Sequence, residues 1–132
     1  MTTQGFHHIA LKAHDYDASV KFYTEGLGLT EKIAWGEGNS RGIMLETGTG
    51  NYVEIFAGGS AEPKPEGVLL HFAFRADDVD AAVLRAIAAG AEVTMAPSSL
   101  DIPSRPFPLP VRYAFVKGPD GELVEFFQNA LT

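Results

Sequence analysis

The chain repeats itself, and a repeat constrains the possible folds more than any single residue does. His8-Ile9-Ala10-Leu11-Lys12-Ala13-His14-Asp15-Tyr16-Asp17-Ala18-Ser19-Val20, moved along by 63 residues, falls on His71-Phe72-Ala73-Phe74-Arg75-Ala76-Asp77-Asp78-Val79-Asp80-Ala81-Ala82-Val83, and seven of the thirteen positions are identical. A second block, Met44-Leu45 through Gly50-Asn51-Tyr52-Val53-Glu54-Ile55-Phe56, matches Phe115-Val116 through Gly121-Glu122-Leu123-Val124-Glu125-Phe126-Phe127 at a shift of 71. The eight additional residues are expected in the Pro-rich stretch between Pro97 and Pro110, where insertion costs little. That stretch reads either as a rigid crossover or as an apolar flap. Residues 1–132 are thus read as one domain, with module one at 5–57, a Gly/Pro linker at 58–67 and module two at 68–128.

The order of elements is legible inside each copy. His8 to Ala13 suits a short buried strand, and Asp15 or Asp17 can then cap a helix carrying Val20, Phe22, Tyr23 and Leu27. Gly26 and Gly28 are expected to stop it. In the second copy Asp78 or Asp80 opens a helix through Val83, Leu84 and Ile87, stopped by Gly90. Strands are expected near Thr30 to Trp35, Gly42 to Thr47 and Asn51 to Phe56, the last two joined by Gly48-Thr49-Gly50. Gly118-Pro119-Asp120-Gly121 makes the corresponding turn in module two. The pattern is βαβββ written twice, an α+β fold.

Composition narrows the chemistry. With no cysteine, disulfides, thiolate metal sites and cysteine nucleophiles are excluded. Seventeen acidic residues against ten basic give a formal net charge of −7, and no basic stripe is visible, so nucleic acid is not an expected partner. No membrane-spanning run and no signal-like N-terminus is apparent, which makes the cytoplasm the expected location and small molecules the expected partners.

Four residues attract attention because they recur in equivalent places. His8 and His71 begin the first strand of each module, and Glu54 and Glu125 lie on the last. Strand side chains alternate, so each glutamate projects opposite its apolar neighbours, Val53 and Ile55 or Val124 and Phe126. A carboxylate on a water-poor face is costly unless it is paired, protonated or metal-bound. Two imidazoles and two carboxylates suit Ni, Zn, Co, Fe or Mn better than Ca. The alternative is that these are packed or solvent-facing side chains preserved by common ancestry alone. Lys12, Trp35, Arg41, Arg105, Phe107 and Arg112 are further candidates for substrate contact. His7 alternates away from His8 and is expected outside the site, and His14 reads as a turn residue.

These residues resemble the vicinal oxygen chelate superfamily, which includes glyoxalase I, extradiol dioxygenases and bleomycin-resistance proteins. The matching pieces are His8-Ile9-Ala10-Leu11, Phe22-Tyr23-Thr24-Glu25-Gly26-Leu27-Gly28-Leu29, Val53-Glu54-Ile55-Phe56, His71-Phe72-Ala73-Phe74 and Gly118-Pro119-Asp120-Gly121-Glu122-Leu123-Val124-Glu125-Phe126. The resemblance implies paired βαβββ modules forming a curved, cup-shaped mixed sheet with helices outside, in a homodimer. The order His, Glu, His, Glu is most similar to bacterial glyoxalase I. It implies a metal-dependent lyase or isomerase in which one divalent ion, held by His8, Glu54, His71 and Glu125, supports an enediolate. Glu125 would be the base and Glu54 its counterpart. Lys12 and Gly58 stand where that enzyme typically has Arg and Asn, which points to a small oxygen-bearing substrate other than a glutathione adduct. The alternatives are a ferrous extradiol-type dioxygenase and a non-catalytic binding or resistance protein.

Overall fold

The computed structural model describes residues 4–65, 67 and 69–132. Two residues of the joint region, Glu66 in the 58–67 linker and Val68 at the expected start of module two, lie outside the described residues. The chain divides into two compact units, Met1–Glu62 and Pro63–Thr132. Each carries one helix-backed, four-stranded mixed sheet.

The first unit runs β1 (His8–Lys12), α1 (Tyr16–Lys21), β2 (Thr30–Trp35), β3 (Gly42–Glu46) and β4 (Tyr52–Phe56). Its strand order is β1-β4-β3-β2, with β1 parallel to β4 and the other pairs antiparallel. The second unit repeats this as β5 (Phe72–Arg75), α2 (Val79–Ala88), β6 (Glu92–Ile102), β7 (Leu109–Lys117) and β8 (Leu123–Gln128), in the order β5-β8-β7-β6. The parallel pairing demands a crossover, and the helix supplies it in each copy.

Helix starts follow the repeat. Asp15 Oδ1 accepts the Ala18 N–H, and Asp78 Oδ1 accepts the Ala81 N–H, each at 3.0 Å. These are the equivalent aspartates under the 63-residue shift, and each satisfies a donor that the first helical turn leaves free. Gln128 Oε1 accepts the Val79 N–H at 3.0 Å, which ties the last strand to the start of α2. The first helix departs from expectation. After Lys21 it widens into a π-helical turn over Phe22–Gly26 instead of continuing as α. Thr24 Oγ1 donates to the Val20 carbonyl at 2.7 Å, a side-chain bond that competes with the regular ladder.

Alternation sorts each sheet into a helix-facing side and an opposite side. Ile43, Leu45, Val53 and Ile55 pack with Phe22 and Tyr23 in the first core, while Ala114, Val116, Val124 and Phe126 pack with Val79, Val83 and Ala86 in the second. Truncating a side chain such as Leu45 would cost about 2–5 kcal/mol. The Pro-rich stretch is neither crossover nor flap over most of its length. It is a hairpin, with Pro97 at a register break in the edge strand β6 and Pro110 on β7 beyond the last β8 pair. Those are positions where a missing N–H interrupts no central ladder. Only residues 103–108 form the connecting loop.

Each module also has an arginine clasp onto its helix. Arg41 Nη1 donates to Asp17 Oδ1 at 3.1 Å, and its guanidinium lies 4.3 Å from the Tyr16 ring centre. Arg112 holds Asp80 with two bonds, Nε to Oδ2 at 2.6 Å and Nη2 to Oδ1 at 2.8 Å, and donates to Ser99 Oγ at 3.0 Å. Asp17 maps onto Asp80 at a shift of 63, and Arg41 onto Arg112 at a shift of 71. The Arg112 hydrogen bonds hold the Asp80 carboxyl below its ordinary range. An acid with a lowered folded-state pKa stabilises the fold above its ordinary pKa, and that contribution fades as pH falls through the lowered value. Arg112→Met is therefore expected to lower the melting temperature slightly at pH 7, the pair being solvent-exposed. The gap from wild type should close as the pH is taken below the ordinary aspartate range. A gap that is constant with pH would show that the clasp acts through packing instead.

Candidate functional site

On the non-helical side of each sheet an imidazole and a carboxylate face each other. In the first module the register pairs His8 with Tyr52 and Ala10 with Glu54, so His8 and Glu54 sit diagonally on one face. His8 Nε2 lies 3.5 Å from Glu54 Oε1. In the second module His71 immediately precedes β5, Ala73 pairs with Glu125, and the diagonal recurs. His71 Nε2 lies 3.8 Å from Glu125 Oε1.

Both carboxylates have largely left water. Glu54 is 8 % exposed although it faces away from the helix-side core, and the Glu125 side chain is 13 % exposed. Among the described residues each has only its histidine as an ionic partner. Burial pushes the Glu125 carboxyl above its ordinary pKa, and the nearby His71 partly offsets that rise.

The pairs have the chemistry of metal ligands. A nitrogen and an oxygen held about 2.1 Å from one ion at a tetrahedral angle are about 3.4 Å apart, close to both observed separations. Each module offers two such donors. Among the described residues no group of three or more His, Asp or Glu side chains is gathered to hold an ion. The structure thus brings together His8 with Glu54 and His71 with Glu125, each as a pair.

Aromatic side chains share the faces that carry the pairs. Trp35 pairs with Gly42 across β2 and β3, and its indole lies where a side chain on residue 42 would be, within 2.5 Å of an added Cβ. Its ring centre is 6.0 Å from that of Phe56, and it is 38 % exposed. Lys12 shares this face at the far end of β1, paired with Phe56. In module two the Phe115 ring meets the His71 ring edge to face at 5.1 Å, and Tyr113 stands next to Phe115.

The remaining sequence candidates lie elsewhere. Arg41 and Arg112 are engaged in the clasps to Asp17 and Asp80. Arg112 also borders an open cavity of about 500 Å³ with Ser99, Leu100, Val111 and Gln128, whose lining includes neither His71 nor Glu125. Arg105 and the exposed Phe107 occupy the 103–108 loop, where Ser104 Oγ donates to the Phe107 carbonyl at 2.7 Å. His7, expected to point away, instead contacts His8, with their Nδ1 atoms 2.9 Å apart. β1 begins only at His8, so strand alternation does not govern the residue before it.

Comparison with known proteins places this geometry in a family. Residues 5–126 match the sequence model of the Glyoxalase/Bleomycin resistance protein/Dioxygenase superfamily. The chain is 33 % identical over 126 residues to the uncharacterized protein YwbC of Bacillus subtilis (strain 168), covering 92 % of this chain and 95 % of that one. Its fold is similar to that of a glyoxalase family protein from Enterococcus faecalis, with a TM-score of 0.74, 24 % identity and coverage of 96 % and 99 %. It is similar also to TnmS3, an antibiotic binding protein from Streptomyces sp. CB03234, with a TM-score of 0.71, 21 % identity and coverage of 98 % and 99 %. On the family match and on the likeness to YwbC, the chain belongs to the Glyoxalase/Bleomycin resistance protein/Dioxygenase superfamily.

Proposed function

We propose that the protein is a metal-dependent lyase or isomerase acting on a small molecule with adjacent oxygens, with His8, Glu54, His71 and Glu125 as ligands of one divalent ion. The observation that carries this reading is the same His–Glu diagonal on both modules, each with a carboxylate withdrawn from water. Two donors hold an ion weakly, so the reading requires the pairs to act together, from one chain or from two copies in a homodimer. The donor set of two nitrogens and two carboxylates fits Ni, Zn, Co, Fe or Mn. When bound, the ion would act as a Lewis acid toward substrate oxygen.

The chain's own residues supply the rest. Glu125 takes a proton from one substrate carbon and returns it to the neighbouring carbon. Its burial favours this role, because a carboxylate whose pKa is raised is a stronger base toward a carbon-bound proton than an ordinary glutamate. Phe115 fixes the plane of the His71 ring beside it. Trp35 and Phe56 present an apolar wall that limits water near the first pair. Lys12, on the same face, offers a positive charge to an anionic group of the substrate.

A second reading, a small-molecule binding protein without catalysis, is favoured by the exposed Trp35–Phe56 wall and by the fold shared with an antibiotic binding protein. Thermal shifts induced by aromatic ligands and indifferent to chelator would support it over the lyase.

Metal analysis of untagged protein is expected to find one ion per chain, lost in both His8→Ala and His71→Ala. Two ions per chain would mean that each pair binds separately, and no ion would remove the ligand assignment. Mixing the two variants should restore part of the metal content if the ligand set is completed across two chains, and none if it is completed within one. The base is tested with methylglyoxal pre-equilibrated with a small thiol other than glutathione. Glu125→Gln, whose amide oxygen can still coordinate, is expected to bind the ion more weakly and, when loaded at saturating metal, to lose turnover by about 10²–10⁴-fold. Unchanged turnover would eliminate Glu125 as the base.

A further inference from the structure

His7 marks a place where the two modules stop matching. The shift that carries His8 onto His71 carries His7 onto Leu70. In module one the His7 and His8 rings stand nearly perpendicular, 87° apart with centres 5.2 Å apart, and their Nδ1 atoms are 2.9 Å apart. The His7 backbone is fixed by its carbonyl, which accepts the Tyr52 N–H at 2.9 Å, and its ring lies 5.2 Å from the Tyr52 ring. A hydrogen bond between two ring nitrogens needs one to carry the proton and the other to offer its lone pair. The two nitrogens of His8 are thereby divided. Nδ1 faces His7, and Nε2 faces Glu54.

We propose that His7 is a positioning residue for His8 as a metal ligand. His7 Nδ1 accepts the Nδ1–H of His8, which leaves the Nε2 lone pair directed to the ion beside Glu54. The inference rests on the metal reading above. Ligating histidines generally donate their second N–H to an acceptor that fixes the tautomer and raises ligand basicity. Here the acceptor is another imidazole, which can reverse its role. Without the ion, His7 Nδ1–H can donate to His8 Nδ1 while His8 Nε2–H turns toward Glu54. An ion held by His8 Nε2 would require the His8 proton to sit on Nδ1, where His7 Nδ1 would accept it. His71 has no such partner at residue 70 and is held by the edge-to-face contact with Phe115. The two histidines of the proposed ligand set are therefore oriented by different means.

Two variants of the full chain separate this role from simple packing. His7→Asn places an amide oxygen or nitrogen where Nδ1 lies and can accept or donate. His7→Phe keeps a ring against Tyr52 but has no nitrogen. Zn²⁺ affinity measured by chelator competition should fall about 10–100-fold in His7→Phe. It should stay near wild type in His7→Asn. In the Zn²⁺-loaded wild type, ¹⁵N shifts of His8 should show Nδ1 protonated and Nε2 metal-bound. The reverse order of the variants, or a His8 metallated at Nδ1, would overturn the proposal in favour of ring packing. Wild type that binds no Zn²⁺ would remove the metal reading and the inference with it. Wild type that binds normally beside an unaffected His7→Phe would remove the inference alone. If His7→Phe fails to fold, His7→Asn and the wild-type shifts still decide.

Discussion

A carboxylate withdrawn from water must be neutralised, hydrogen-bonded or given a cation. Among the described residues Glu54 and Glu125 each have an imidazole as ionic partner, at 3.5 and 3.8 Å. The sheet makes this arrangement possible. The parallel pairings β1–β4 and β5–β8 bring the start of a module beside its end, so a histidine and a glutamate far apart in sequence become diagonal neighbours. The helix behind each sheet then dictates which face they share, because Val53, Ile55, Val124 and Phe126 occupy the other one. The same alternation that builds the core therefore places the polar pair.

Much of this was legible before any coordinates, because duplication compares the chain with itself. The shift of 63 residues locates both first strands and both helix caps, and the shift of 71 locates both last strands. The Arg–Asp clasps obey those shifts too, yet Arg41 and Arg112 read as candidates for substrate binding. An arginine advertises its charge in sequence but not its partner. The approach of Asp17 and Asp80 depends on how each helix lies against its sheet. The π-turn after Lys21 was hidden for a related reason, since Thr24 back-bonding to Val20 leaves no periodic signature. In the Pro-rich stretch, composition suggested a rigid crossover or a flap, but Pro97 and Pro110 occupy positions in strands where a proline is tolerated.

The modules are similar without being equivalent, and the differences gather around the pairs. Module one sets its histidine beside His7, whose ring meets Tyr52, whereas module two sets its own against Phe115, whose ring meets Tyr113. One environment is rich in exchangeable hydrogen bonds and the other in ring contacts. Divergence after duplication has thus altered the surroundings of the two histidines more than the histidines themselves.

The indole lying over Gly42 has a counterpart that shows how such divergence can proceed. The shifts that relate the modules place Ser98 where Trp35 stands and Tyr113 where Gly42 stands, and the register pairs Ser98 with Tyr113 as it pairs Trp35 with Gly42. Large opposite small has become small opposite large. Neither position could drift alone without a clash or a hole. The two modules thus carry the aromatic ring on different strands of the pair while each keeps one large and one small side chain on that patch of sheet.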